Sequence, residues 1–194
     1  MRVLHLGCGR DIRKGWVNID QEAETFFRKD GTVSLSIDLR NGIPFEDDYF
    51  DFVYSSHFFE HIDTVAGYNL LVDCRRVLRS DGTIRLCLPN AKQLLDAYYE
   101  CNDEWFEQTA EMAAEGLPPY ELRTKIDHVT RGIGTWGHVC FYDYEKAAHL
   151  LVKAGFVNVH EVEHDPTIDL NNPRRIAFSF YATANNPTKE SPAD

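Results

Sequence analysis

The chain has 194 residues, 43% of them hydrophobic, which is enough to bury one domain's core. Its 20 Lys plus Arg against 31 Asp plus Glu leave a net charge of −11, with no basic block that could track a phosphate backbone, so nucleic acid is not the expected partner. The five cysteines are odd in number and lack CxxC or close Cys/His spacing, which argues against a disulfide framework or a structural zinc site. No apolar run approaches a membrane span and no hydrophobic leader core precedes the first strand, so a cytoplasmic address without membrane contact is expected.

In chain order, residues 3–6, 16–19, 33–37, 52–55 and 83–88 are apolar runs closed by Gly, Asp, Asn or Pro, as in strands covered on both faces of a parallel sheet. Between the fourth and fifth, Leu70, Leu71, Cys74, Val77 and Leu78 fall at helical spacing, and Ser80-Asp81-Gly82 is expected to end that helix. A second helical pattern runs from Ala91 to about Gly116 and is stopped at Pro118-Pro119. Residues 118–137 lack periodicity and contain three glycines, which suggests a lid or insertion; the helical and loop insertion is bounded at about 91–137. Asp143 can cap a helix ending at Gly155, and strands at 157–162 and 176–182 close a single domain spanning 1–184. The polar tail 185–194 is expected to be disordered.

Strand and helix alternate, so ligands are expected beyond the carboxyl ends of the strands. Gly7-Cys8-Gly9, Asp20, Asp38, Ser55-Ser56-His57 and Pro89-Asn90 all follow such ends. A dinucleotide fingerprint would want a third glycine where Ile12 stands and an acid about 20 residues on. Both are missing, and residues 10–15 leave little room for a helix whose N-terminus would hold a pyrophosphate. A nucleoside without phosphates needs less: a glycine surface, an acid for the ribose hydroxyls and a polar group at the adenine. Asp20 and Asp38 fit the last two roles, although each Asp could instead simply cap its turn.

The motifs LHLGCG, GWVNID, SIDLRNGIPFEDDYFDFVYSSHFFEHI, RVLRSDGTIRLCLPN and KAAHLLVKAGF resemble, in this order, those of class I S-adenosylmethionine-dependent methyltransferases, closest to the compact type-11-like branch. The resemblance implies an α/β three-layer sandwich of Rossmann-like type. Its mostly parallel sheet would have seven strands in the order 3-2-1-4-5-7-6, with the last strand antiparallel. It also implies S-adenosyl-L-methionine as cofactor, with Gly7, Cys8 and Gly9 under the methionine part and Asp20 on the ribose. Asp38 and the Leu39 backbone would take the adenine, and Ser55 and Ser56 the methyl side. Ser80-Asp81-Gly82 stands where the family has Pro-Gly-Gly, and no acid follows Gly9 to take the cofactor's amino group.

Such a cofactor brings its own activated sulfonium, so the protein has to align an acceptor, exclude water and, for oxygen or nitrogen, remove a proton. His57 and His138 are the candidate bases, each expected to be near half-charged at physiological pH. No metal is expected, because relatives keep the Glu-His pair as a structural element. The alternative is a ligand set of His57, Glu60, His61 and His138, since 57 and 61 are one helical turn apart. Arg123, Lys125, His128, Arg131 and Trp136 lie in the expected lid, and the loop DPTIDLNNPRR, residues 165–175, could also touch the acceptor. The expected activity is O- or N-methylation of a small-molecule or carbohydrate-like acceptor. Its alternatives are another transfer from the same cofactor class, such as aminopropyl transfer, and an inactive cofactor-binding regulatory module.

Overall fold

The computed structural model describes residues 1–114, 124–134 and 137–188. Eight strands of these residues form one sheet: β1 (Val3–Leu6), β2 (Val17–Asp20), β3 (Phe26–Phe27), β4 (Val33–Ser36), β5 (Phe50–Ser56), β6 (Leu78–Pro89), β7 (Val157–Val162) and β8 (Ser179–Asn185). Their order is β3-β4-β2-β1-β5-β6-β8-β7. The two-residue β3, an antiparallel addition at the edge, is the departure from the seven strands expected; without it the order is the expected one. Strands β1, β2, β4, β5 and β6 pair in parallel, and β8 runs antiparallel between β6 and β7.

Parallel register places aligned residues on one face, so Leu4, Val53, Ile84 and Ala184 form one row and Leu6 and Ile19 another, all fully or nearly fully buried. Helix α1 (Thr64–Val77) covers this face with Leu70, Leu71, Cys74 and Val77, after Asp63 caps it by accepting from the amides of Val65 and Ala66. Its end comes earlier than expected: Leu78 already pairs with Phe50 in the sheet. The buried Asn186 amide donates to the carbonyls of Arg75, Leu78 and Arg79 and satisfies the end of that helix. The first residues of the expected tail are therefore part of the domain, and residues 189–194 lie outside those described.

The expected helix from Ala91 onward is two, α2 (Ala91–Tyr99) and α3 (Asp103–Ala114), broken where Cys101 takes φ 53° and Asn102 caps α3 by accepting from Trp105 N. Pro118-Pro119, the expected stop, lies outside the described residues. A helix the sequence did not suggest, α4 (Lys125–Gly134), packs on α2 and α3. Helix α5 (Tyr144–Lys153) begins at its Asp143 cap as expected and lies beside α1. Residues 173–178 form α6 (Pro173–Phe178) in place of the start of a strand, because Asn172 caps it and Pro173 supplies a preset φ at its first position.

The opposite face of the sheet is polar and aromatic. His5, Asn18, Tyr54 and Arg85 align across four neighbouring strands, and each is buried. Loops close this row. Arg13 lies 4.4 Å from the Tyr54 ring centre and 4.8 Å from that of Trp16, and its guanidinium donates to Ile168 O. Asn18 fixes the same loop by accepting from Arg13 N and donating to the carbonyls of Arg13 and Trp16. Arg85 pairs in two-pronged fashion with Asp169 and also donates to Glu163 O, which ties the 163–172 loop to the sheet.

Side-chain exposures of 6% for Arg85 and 1% for Asp169 make this a buried pair. Arg85→Met should cost about 3–5 kcal/mol, because Asp169 is left charged and unpaired, while the double change with Asp169→Leu should recover most of it; denaturant unfolding of the three variants checks this. Burial, aided by Arg13, lowers the His5 pKa from 6.5 to about 4. The unfolded chain then binds the extra proton first, so this contribution to stability is complete above pH 6.5 and is lost as pH falls toward 4. His5→Phe should reduce that acid loss by up to roughly 3 kcal/mol in unfolding curves taken across the same window.

Candidate active site

The carboxyl ends of β1, β2, β4 and β5 open into a cavity of about 720 Å³ lined by Gly7, Cys8, Gly9, Asp20, Asp38 and Leu39, with Ser56 and His57 on the far side. Both glycines have positive φ, 63° at Gly7 and 50° at Gly9. Their surroundings differ: a Cβ at Gly7 would lie 2.3 Å from the Phe58 ring, whereas one at Gly9 would meet nothing within 4 Å. Gly7 is thus a packing requirement and Gly9 leaves open space along the cavity floor. Burial, and Asp20 after it, push the Cys8 thiol up to about 12, so it stays protonated and unreactive.

Asp20 holds the loop: one carboxylate oxygen accepts from Gly9 N at 3.0 Å and the other from Glu22 N at 2.9 Å. Each oxygen keeps a further lone pair for a ligand. Asp38 caps the short turn Leu39–Asn41 and grips its own Arg40 side chain at 2.7 and 2.8 Å, which holds its carboxyl below the usual range. Ser55 and Ser56 separate. The Ser55 hydroxyl is buried and donates to Leu6 O, while Ser56 lines the cavity and accepts from Arg175 at 2.8 Å.

His57 takes φ 53°, a conformation that costs a non-glycine residue roughly 1–2 kcal/mol. Its Nε2 shares a hydrogen bond with Ser179 Oγ at 2.8 Å, and Nδ1 lies 3.5 Å from Glu60 Oε1. Burial first, then Arg175, lowers its pKa to about 3, so the ring is neutral at physiological pH, contrary to the half-charged state expected. Glu60 sits in the short helix Phe59–His61 and is 1% exposed; burial raises its pKa to about 8. Neither of its carboxylate oxygens has a hydrogen-bond partner among the described residues.

Three imidazoles surround that carboxyl. Besides His57, His61 Nε2 lies 4.0 Å and His138 Nε2 3.9 Å from Oε1. The backbone sets this up, since Val139 N and Cys140 N both donate to Glu60 O and dock the segment after Gly137 beside the short helix. The tertiary structure therefore brings residue 138 to residues 57, 60 and 61, which are local to one another but far from it in sequence.

A second cavity, of about 470 Å³, opens on the other side of His57 and His61. Leu94, Trp105 and Phe178 form its apolar wall, and His128, Arg131, Arg174 and Arg175 its basic one. Among the described residues, only His57, His61 and Arg175 line both cavities. Arg175 belongs to the loop singled out in the sequence, but its place at the junction had no sequence signal; its position follows from the Arg85–Asp169 tie. Of the expected lid residues, Arg131 and His128 line the second cavity, whereas Arg123 and Trp136 lie outside the described residues.

Known proteins share this fold. A family model described as Methyltransferase domain matches residues 4–86. No curated protein matches the sequence. Among solved structures, a Haloferax volcanii methyltransferase in complex with the Trm112 methyltransferase activator is 15% identical with a TM-score of 0.57, covering 96% of this chain and 82% of that one. An S-adenosylmethionine-dependent methyltransferase from Mesorhizobium loti is 16% identical with a TM-score of 0.54, covering 95% and 90%. One from Archaeoglobus fulgidus is 18% identical with a TM-score of 0.51, covering 95% and 85%. These likenesses carry the fold, and the matched domain spans β1 to β6 with the glycine loop and both strand-end acids. Residues 4–86 thus match the methyltransferase domain family, and the whole chain shares the fold of S-adenosylmethionine-dependent methyltransferases.

Proposed function

We propose that the protein methylates an oxygen or nitrogen of a small-molecule or carbohydrate-like acceptor in the cytoplasm, with the cofactor in the larger cavity and the acceptor in the second. The observation that supports this is the wall the two cavities share at His57, His61 and Arg175, where a methyl group could pass in line from one to the other. Among the described residues no helix is long and apolar enough to cross a membrane.

In this reading the methionine part lies on Gly7, Cys8 and Gly9, and Asp20 accepts from the ribose hydroxyls with its remaining lone pairs. Asp38 releases Arg40 to face the adenine beside Leu39. Ser56 rather than Ser55 faces the methyl side, because the Ser55 hydroxyl is committed to Leu6. His57 and His138 are the groups placed to take the acceptor's proton. His57 is neutral and so able to accept, but its low pKa makes it a weak base. The helices α2 to α4 serve as the lid over the acceptor. Trp105 offers a ring face, and the arginines favour an acceptor with an anionic group.

S-adenosylhomocysteine at about 100 times its dissociation constant should add roughly 2.7 kcal/mol of stability, which for a chain of this size raises Tm by about 5–10 °C. Asp20→Ala should weaken that binding at least tenfold; an unchanged Tm for wild type would exclude the cofactor placement. Gly9→Ala should fold with only about 1–2 kcal/mol of strain yet bind S-adenosylhomocysteine at least tenfold more weakly, because its methyl enters open cavity. Gly7→Ala should instead destabilise the fold itself by collision with Phe58. Denaturant unfolding and ligand titration of both variants separate the two roles. An acceptor screen over sugars, phenols, amines and acids, scored by demethylated cofactor, tests turnover.

A further inference from the structure

We propose that Glu60, His61 and His138 bind one divalent first-row cation of the zinc type in the wall between the two cavities, with a fourth position open and His57 beside it. The inference rests on the reading of the second cavity as the acceptor site, and it gives that site a Lewis acid beside its arginines.

The argument begins with Glu60. A carboxylate removed from water needs hydrogen bonds or a counter-charge, and both oxygens of Glu60 are buried without a hydrogen-bond partner among the described residues. What faces it is three imidazoles, with nitrogens 3.5, 3.9 and 4.0 Å from the same oxygen. These are too far for hydrogen bonds, yet they have the spacing that a shared ion would need. Bonds of about 2.0–2.2 Å in tetrahedral array put ligand atoms roughly 3.4 Å apart. One atom each from Glu60, His61 and His138 already lies within 4.8 Å of the others. A small contraction about a central ion brings these three to bonding distance and leaves the fourth position open.

The donor set selects the ion. Imidazole nitrogens with one carboxylate suit zinc and its first-row neighbours, whereas magnesium and calcium prefer all-oxygen surroundings. The scaffold holds the donors in place before any ion arrives: Val139 N and Cys140 N bond Glu60 O at 2.8 and 3.1 Å, and His57 Nε2 is anchored by Ser179, leaving Nδ1 toward Glu60. Because Glu60, His57, His61 and His138 all line the second cavity, a cation here can meet an acceptor oxygen and lower the pKa of its hydroxyl, with His138 then acting as ligand instead of base.

The test is a titration of the metal-stripped full chain with Co²⁺, followed by visible absorbance, and with Zn²⁺ by calorimetry. The result expected is saturation at one equivalent in wild type, with affinity at least tenfold weaker in Glu60→Gln and in His138→Asn. Circular dichroism confirms that each variant is folded, and neither residue lines the cofactor cavity, so both should keep the S-adenosylhomocysteine Tm shift. Absence of saturable one-to-one uptake in wild type would overturn the site. Uptake that both variants leave unchanged would also overturn it, by assigning the ion to other groups such as the cysteines. A lost Tm shift in wild type with normal metal uptake would overturn the cofactor placement alone, so the two readings fail separately.

Discussion

The structure depends on the shortness of the β1–β2 connection. Residues 10–15 cannot form a helix over the sheet, so one face of the central strands has to be sealed by other means. Asn18, buried in β2, folds the connection back on itself through four hydrogen bonds to backbone, and Arg13 lies flat over Tyr54 and Trp16. In the same row Arg85 needs polar partners, which the 163–172 loop supplies through Asp169 and Glu163. The same loop leads into Asn172, the cap of α6, and so to Arg175 at the junction of the two cavities. A deficit of chain in one place is thus answered by a loop from another, and that loop carries a site residue.

The site has two contrasting electrostatic regions. In the larger cavity, carboxylates are held at the strand ends by backbone amides or by Arg40, whose hydrogen bonds lower the pKa of Asp38. At the shared wall, Glu60 is deprived of such partners and ringed by imidazoles, while His57 is kept neutral by burial and Arg175. Ordinary solvation would remove that contrast. The sheet and the docked Gly137–Cys140 segment maintain it by excluding water from Glu60.

What was legible in the sequence follows from local physics. Alternating apolar runs gave the strands within a residue or two for β1, β2 and β7, because each is short and bounded by turn residues. The cap Asp143 and the left-handed Gly155 are likewise local. The misreadings have particular causes. Residues 176–178 share an apolar run with β8, and only the Asn172-Pro173 start marks them as helix. In α4 the glycines at 132 and 134 suggest a loop, although the helix is amphipathic and packs on α2 and α3. Asn186 looked like tail because its role is to satisfy carbonyls more than 100 residues away.

The sequence by itself determined the cofactor class, since the glycine loop, the short gap and the strand-end acids occur in linear order and specify a nucleoside surface without a pyrophosphate site. It also supplied each member of the imidazole cluster as a candidate. Only the tertiary structure decided that Ser56 and not Ser55 faces the cavity, that Asp38 is held by Arg40, and that His138 meets Glu60. The reason is physical. Strand ends and caps are set by neighbours in the chain, whereas burial, desolvation and the distance between residues 60 and 138 arise only when separate segments share one interior.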